Sequence, residues 1–530
     1  MFDQGCHVLV VYLCTRSERC HSLFTNQDKI FLFDALQSKV DVPGLENTLA
    51  ACLEKIFRTK YGAALVQQYM PFVQVGLQAN SQIVRCLACK TVSYLLENFD
   101  ENAGSAAQLI IENNVYPLLL DCLIDGNEQV ATASMDAIKN LACSSEGLEI
   151  IFPAKSDEAT HLRNLAASCS SLGRVRVLAL IVKLFSVSSS VASIIYNSNL
   201  LGLLEAEVNN TNDILMTLSI LELLYELAEI PHGTEFLSRT SLLQILTSMI
   251  SNTTMESILR SRAIMICGRL LSKDNIFMVI DESSKIYSPN SNVSYDIELC
   301  VKTALSAIDG RLELLKSQDT DEFESALEAL GQIGSSIQGA ALLLSSSLPV
   351  ARHVVDAAFD RLGRGKQLAA LHALGNISGE NRPDNSIMLN GDAEESLRRL
   401  IYETAAKSSK LTPSGLFLSV LKWESEIRLA AFRLITGLVA RPWCLIEICS
   451  KQEIISIVTD AHIETTKKGM EARHNCCSAI HKALLASNKH VSDPALAGLA
   501  AKLQKAVRRG PYLARERLEA QPLVMTAERF

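Results

Sequence analysis

The stretch ESEIRLAAFRLITGL, from Glu424 to Leu438, carries the pattern that decides the fold. With Ala431 as position zero, Leu434, Ile435 and Leu438 follow at +3, +4 and +7. Residues with this spacing lie on one face of an α-helix. The stretch therefore predicts a helix with one apolar stripe, which needs a neighbour to cover it.

The same frame recurs along the chain in nine copies of four positions, in which only Thr91 and Ser134 are not apolar. The intervals between successive copies are 46, 44, 42, 43, 63, 44, 61 and 45 residues. Armadillo and HEAT repeats, units of two or three helices, have a period of about 40 to 47 residues. We call the position-zero residues anchors and the helices that contain them anchor helices; the anchors are Ala88, Ser134, Leu178, Ile220, Ala263, Ala326, Ala370, Ala431 and Cys476.

A single unit of this kind cannot cover its own apolar stripe, so the units must stack. A degraded copy of the frame lies in Leu45–Phe57. Its position zero is Leu49, 39 residues before the first anchor at Ala88. The sequence thus predicts an all-α fold, an α-solenoid (superhelix) of about ten armadillo/HEAT-like repeats. Stacked units of this type form an extended concave surface, which suits the binding of another macromolecule.

The array is expected over residues 41–490, with an irregular N-terminal helical cap at 1–40 and a C-terminal helix and tail at 491–530. Two long intervals between anchors indicate loop insertions, near 281–296 and near 378–395. Both segments are rich in Ser, Asn, Asp, Gly and Pro, which is the composition of surface loops. We therefore expect two mobile insertions between helices.

Several anchor helices are followed by the same short pattern. A small or polar turn leads to a glycine and then to a short apolar run that begins the next unit. The examples are SSEGLEIIF (Ser144–Phe152), IPHGTEFL (Ile230–Leu237) and SIQGAALLL (Ser336–Leu344).

Charge and composition exclude several classes of function. Proteins that bind the phosphate backbone of nucleic acids need a basic surface, and this chain has a net charge of −8. No nucleic acid partner is therefore expected. The apolar run His7–Cys14 has eight residues, too few to span a membrane, and it lacks the preceding positive charge of a secretory signal. With 15 scattered cysteines, the chain suits a reducing compartment, and we expect it in the cytoplasm, with the nucleus as a second location.

Two cysteine and histidine patterns were weighed as metal sites. Cys86 and Cys89 form one C-x-x-C within an anchor helix, whereas a structural zinc site needs four ligands. His474, Cys477 and His481 share one helical face at i, i+3 and i+7. Core packing is the preferred interpretation of both, and an enzyme that uses the histidine set is an alternative. Because no phosphate-binding loop or nucleophile motif is present, we expect no enzymatic activity, no metal and no cofactor.

The expected binding residues lie outside the apolar stripes. In armadillo-type units the third helix lines the groove, with its +2 and +6 positions facing the partner; we call these positions of the anchor helices the polar ladder. Such a ladder is also typical of any solvated face, so both interpretations stay open. The candidate partner-binding residues are Asn140, Glu222, Glu226, Arg269, Gln332, His372, Asn376 and Arg433.

Several strings resemble one known family. They are LFLSVLKWESEIRLAAFRLITGLVARPWCLIEICS (Leu416–Ser450), IPHGTEFLSRTSLLQIL (Ile230–Leu246), SSEGLEIIF and the late Gly510-Pro511-Tyr512. In order and in repeat number, the chain from about residue 30 onward is similar to the proteasome non-ATPase regulatory subunit 5 family.

This resemblance implies a function that composition does not. It implies an assembly chaperone of the 26S proteasome regulatory particle base. Such a protein holds the C-terminal domain of a ring ATPase subunit during assembly and leaves before the proteasome is mature. We expect a monomer when the protein is free. The alternative is a general armadillo-repeat scaffold or adaptor protein unrelated to the proteasome.

Overall fold

A computed structural model of the chain describes residues 44–98, 103–153, 161–210, 213–237, 239–273, 297–316, 321–345, 349–361, 363–383, 386–487 and 494–512. The described residues form helices and turns, with no β-strand among them. The predicted all-α repeat fold is confirmed. The predicted N-terminal cap, the insertion near 281–296 and the tail beyond residue 512 lie outside the described residues.

The chain divides into two compact units, residues 1–245 and 246–530. The helices up to the boundary are α1 Leu45–Phe57, α2 Lys60–Val66, a 3-10 helix Gln67–Tyr69, α3 Met70–Leu77, α4 Gln82–Asn98, α5 Ala103–Glu112, α6 Val115–Asp125, α7 Glu128–Leu141, α8 Ser145–Ile151, α9 His161–Ser168, α10 Ser171–Phe185, α11 Ser189–Asn197, α12 Leu201–Asn209, α13 Ile214–Glu229, α14 Gly233–Leu237 and α15 Leu242–Ser251, which contains the boundary.

The second unit continues the same alternation of short helices and longer anchor helices. Its helices are α16 Ser257–Leu271, α17 Ile297–Leu315, α18 Asp321–Ile333, α19 Ile337–Leu343, α20 Ala351–Phe359, α21 Arg364–Ser378, α22 Gly391–Lys407, α23 Pro413–Leu421, α24 Ser425–Leu438, α25 Pro442–Ser450, α26 Gln452–Thr459, α27 Lys467–Ala486 and α28 Pro494–Arg509. The boundaries predicted at residues 40 and 490 remain predictions.

The anchor helices stack side by side within each unit. In the first unit α1, α4, α7, α10 and α13 pack in succession, and in the second unit α16, α18, α21, α24 and α27 do the same. All of the anchor-frame positions at 0, +3, +4 and +7 are buried except Ala479 and Ala483 on α27. The apolar stripes therefore form the core of each unit, because every layer covers the stripe of its neighbour.

The two polar exceptions to the apolar frame are buried with their hydroxyls satisfied. Thr91 donates its hydroxyl proton to the carbonyl oxygen of Leu87 at 2.7 Å. Ser134 donates to the carbonyl oxygen of Leu119, on the neighbouring helix α6, at 2.5 Å. A buried hydroxyl costs free energy only when it lacks a partner, so the frame tolerates both residues.

The recurrent glycine has a steric reason at the turn that follows an anchor helix. Ser336 caps α19, and its hydroxyl oxygen accepts a hydrogen bond from the backbone nitrogen of Gly339 at 3.0 Å. A Cβ on Gly339 would lie 2.0 Å from the carbonyl oxygen of Ile333, the last residue of α18. Only a residue without a side chain allows this approach. The same overlap exists at Gly62, Gly147 and Gly233.

We expect Gly339→Ala to lower the free energy of unfolding of the second unit by about 1–3 kcal/mol, the usual cost of forced overpacking. Gly310→Ala is the matched control, because Gly310 lies inside α17 and a Cβ there meets nothing within 4 Å. In an open helix interior alanine is favoured over glycine by about 1 kcal/mol, so the control should stabilise. Urea unfolding of both variants tests the pair, and a shift of the same sign in both would contradict the steric explanation.

The second predicted insertion, near 378–395, ends earlier than expected. Helix α22 begins at Gly391, inside the predicted loop. Before it, the guanidinium of Arg382 donates hydrogen bonds to the carbonyl oxygens of Gly334 at 2.7 Å and Ile377 at 3.0 Å. Burial lowers the pKa of Arg382 to about 10. One arginine thus satisfies several helix-end carbonyls at once, and the mobility of the insertion remains a prediction.

Candidate protein-binding face

The predicted binding residues all lie on anchor helices, as the frame requires. Asn140 lies on α7, and Glu222 and Glu226 lie on α13, in the first unit. The other five lie in the second unit: Arg269 on α16, Gln332 on α18, His372 and Asn376 on α21, and Arg433 on α24. Their contacts within the chain differ. Some of these side chains form hydrogen bonds to neighbouring layers, whereas others face solvent.

Asn140 links two layers of the first unit. Its side-chain amide donates to the hydroxyl of Ser93 and to a carboxylate oxygen of Glu97, each at 2.7 Å, and both acceptors lie on α4. On the next pair of layers, Lys183 of α10 forms an ion pair with Asp136 of α7 at 2.7 Å. In this part of the chain the polar ladder therefore joins consecutive anchor helices to each other.

Arg433 and His372 come together in the second unit around a third residue, Glu380. Arg433 donates two hydrogen bonds to the carboxylate of Glu380, at 2.9 and 2.8 Å, and its third nitrogen lies 3.3 Å from Nδ1 of His372. Burial, and then the charge of Arg433, lowers the pKa of His372. A neutral imidazole can accept the hydrogen bond from Arg433, so the three side chains form one satisfied cluster.

Sequence reasoning missed Glu380, because it lies in the insertion after α21 and not on an anchor helix. Asn376, which was predicted, contacts the same segment: its side-chain oxygen accepts a hydrogen bond from Asn381 at 3.0 Å. Nothing in the local pattern signals these pairs, because Arg433 and Glu380 are 53 residues apart.

The remaining predicted residues differ in their exposure to solvent. Glu226 is exposed to solvent, whereas Glu222, Arg269 and Gln332 are half-buried. The side-chain oxygen of Gln332 is buried without a hydrogen-bond partner. Glu226 is thus the predicted residue most open to a partner protein, and the assignment of all eight as binding residues remains a prediction.

The residues weighed as metal ligands pack helices together. His474 Nε2 lies 3.2 Å from the carbonyl oxygen of Val507, and Cys477 Sγ lies 3.8 Å from that of Leu503, so both face α28. Burial raises the pKa of the Cys477 thiol to about 11. His481 is half-buried on the same helix. Among the described residues, no three His, Cys, Asp or Glu side chains are grouped so that they could hold a metal ion.

The cysteines of the C-x-x-C have separate surroundings. Cys86 is half-buried beside the carbonyl oxygen of Gln129, at 3.8 Å from its sulfur. Cys89 is buried close to Cys122 of α6. The interaction between the two thiols lowers the pKa of Cys122, with the nearby guanidinium of Arg85 acting in the same direction, and raises the pKa of Cys89. The thiols of Cys89 and Cys122 are fully buried, so reactants in the solvent do not reach them.

No helix in the described part of the chain combines the length and the apolar content needed to cross a membrane.

Comparison with solved structures returned engineered proteins at low similarity. The crystal structure of one engineered protein matches 85% of this chain and 98% of its own, with a TM-score of 0.41 and 15% identity. That of a second engineered protein matches 58% of this chain and 97% of its own, with a TM-score of 0.37 and 14% identity. These values are too low to inform the fold further.

Comparison with known sequences gave matches to proteins of one kind. The family described as proteasome non-ATPase 26S subunit matches residues 21–261. The human 26S proteasome non-ATPase regulatory subunit 5 is 19% identical over 455 residues, which cover 83% of this chain and 80% of that protein. The bovine protein of the same name is 20% identical over 452 residues, with the same coverage. These matches confirm the predicted resemblance: over most of its length the chain is similar to the human and bovine 26S proteasome non-ATPase regulatory subunit 5.

Proposed function

We propose that the chain is an assembly chaperone of the base of the 26S proteasome regulatory particle. In this proposal it binds the C-terminal domain of a ring ATPase subunit while the ring assembles, and it leaves before the proteasome is mature. It acts in the cytoplasm and the nucleus, as a monomer when free, and without enzymatic activity. The observation that carries the proposal is the similarity to the proteasome regulatory subunit over 83% of the chain.

The fold and the charge are consistent with such a role. Stacked anchor helices present a row of polar side chains, and a net charge of −8 suits the capture of a protein surface by charge complementarity. Release requires moderate affinity, which a polar, partly solvated interface provides. The exposed Glu226 on α13 is the first residue to test within the polar ladder.

We expect that affinity purification of the tagged full-length chain from cells recovers proteasomal ATPase subunits without the proteolytic core. Glu226→Lys should reduce this recovery if the polar ladder faces the ATPase domain. Glu149→Lys is the matched control, because Glu149 is equally an exposed acidic residue of the first unit but lies on α8, outside the anchor helices.

Mass spectrometry of the eluate decides between the two functions. Recovery of complete, doubly capped proteasomes would contradict release before maturation. Recovery of other partners with no ATPase subunit would instead favour the general armadillo scaffold or adaptor.

A further inference from the structure

The last anchor helix leaves part of its apolar stripe uncovered. Ala479 and Ala483 of α27 are the anchor-frame positions that are not buried, and both line a groove of about 700 Å³ in the second unit. Val439, Leu445 and Ile446 form the opposite wall, next to the start of α28. The side chain of Ile446 is 53% exposed. The groove is thus an apolar surface at the site where a further layer would otherwise cover the stripe.

The charge around the groove has one sign. Lys482 is the one charged residue in its described lining. The acidic residue of the α25 wall, Glu447, is engaged elsewhere: its carboxylate accepts hydrogen bonds from the hydroxyl of Tyr402 at 3.0 Å and from the backbone nitrogen of Ser414 at 3.2 Å. No carboxylate of the described lining therefore faces an occupant of the groove.

The two helices that border the groove are strongly basic. In α27 and α28 together there are eight lysine and arginine residues and one acidic residue, within a chain whose net charge is −8. The acidic residue, Glu471, accepts a hydrogen bond from the hydroxyl of Tyr512. In α28, Lys502, Lys505, Arg508 and Arg509 are exposed. This local excess of positive charge favours an anionic partner.

We propose that this groove binds an acidic amphipathic segment of a partner protein. The apolar side chains of the segment enter between α25 and α27, where burial of apolar surface stabilises the complex. Its carboxylates face the exposed basic residues of α28. Recognition of this type, an amphipathic helix in an apolar groove, is a recurrent mode of peptide binding. The proposal goes beyond the chaperone function and does not depend on it.

The chain's own C-terminal residues are the competing occupant. Residues 513–530 contain an apolar run, Leu523-Val524-Met525, but they carry three arginines and three glutamates. Such a segment has no net charge to complement the basic helices. Charge complementarity therefore favours the acidic partner, and the two occupants differ in the test.

The test is fluorescence anisotropy of the full-length chain with a labelled synthetic helical peptide that has leucine at 0, +3, +4 and +7 and glutamate elsewhere. We expect saturable binding that weakens with salt. The charge-reversed peptide, with lysine in place of glutamate, should not bind. Ile446→Glu should raise Kd at least about tenfold, because it places a carboxylate in the apolar wall and repels the peptide. Lys505→Glu should raise it about threefold to tenfold and reduce the salt dependence.

Leu215→Glu is the control for a general loss of surface apolarity, because Leu215 is 76% exposed on α13 in the first unit; its Kd should be unchanged. Unchanged far-ultraviolet circular dichroism and melting temperature check that each variant folds. Equal binding of the lysine peptide, or unchanged Kd in Ile446→Glu, would overturn the proposal. Binding that appears only after truncation beyond Tyr512 would also overturn it, because the chain's own tail would then be the occupant. Neither result bears on the recovery of ATPase subunits, so the two proposals fail separately.

Discussion

Replacing Glu322 by glutamine is expected to lower the free energy of unfolding of the second unit by about 3–5 kcal/mol, because it leaves two buried guanidinium groups without a counter-charge. Glu322 of α18 is 3% exposed and binds two arginines. Arg260 of α16 donates to both carboxylate oxygens, at 3.0 and 2.9 Å. Arg311 of α17 donates to one of them at 2.9 Å. Three helices therefore depend on one carboxylate, and urea unfolding monitored by circular dichroism measures its loss.

Two comparisons separate the cost of the unpaired charges from other effects. Glu426→Gln removes the same charge from an exposed pair, in which Glu426 lies 2.6 Å from Arg364 and is 65% exposed; exposed pairs contribute about 0–1 kcal/mol. The triple change of Arg260→Met, Arg311→Leu and Glu322→Leu should recover most of the lost stability, since apolar residues can replace a buried ion cluster. Equal effects of Glu322→Gln and Glu426→Gln would show that the cluster is not desolvated.

The repeat fold could be predicted because its signal is local. The 0, +3, +4, +7 frame spans only about two turns of helix, and the structure buries nearly all of these positions. The glycine after several anchor helices was visible as a pattern in the same way. Its reason, the close approach of Gly339 to the carbonyl oxygen of Ile333, required the geometry of the turn.

The polar contacts between anchor helices could not be predicted, because they depend on which layers meet. Arg260 and Glu322 are 62 residues apart, and each alone resembles a solvated charge on a helix. Asn140 and Arg433 were predicted to bind a partner, yet their side chains contact Glu97 and Glu380 of this chain. Sequence spacing identifies the face of a helix, whereas the contacts across that face are a property of the stacking.

For the segment near 378–395, composition indicates a loop but not the contacts that hold it. Its Ser, Asn, Asp, Gly and Pro content predicts an irregular backbone, and much of the segment is irregular. An irregular backbone exposes carbonyl groups that need donors. Arg382 and Arg441 supply these donors, and an arginine offers five of them in a fixed plane.

Replacing Arg441 by methionine is therefore expected to destabilise the second unit by about 3 kcal/mol, because it leaves the Glu394 carboxylate without its counter-charge in a largely buried site. Arg441 is 1% exposed and donates to both oxygens of Glu394, at 2.7 and 2.9 Å. Its third nitrogen donates to the carbonyl oxygens of Ser378 at 3.0 Å and Gly437 at 2.9 Å. One side chain thus connects the ends of α21 and α24 to the first turn of α22.

The loss of stability in Arg441→Met should be local as well as global, because the contacts of Arg441 converge on one segment. Hydrogen exchange of the amides of residues 379–382 and 386–390 should become faster in Arg441→Met, while the amides of α16 keep their protection. Arg441→Lys should give an intermediate loss, since it keeps the charge but not the two parallel bonds. The matched control is Arg398→Met on α22, whose pair with Glu395 at 3.2 Å is exposed and should contribute less than about 1 kcal/mol. If exchange accelerates equally in Arg398→Met, then Arg441 does not hold the segment, and the backbone of the insertion must be fixed by Arg382 and the helix ends alone.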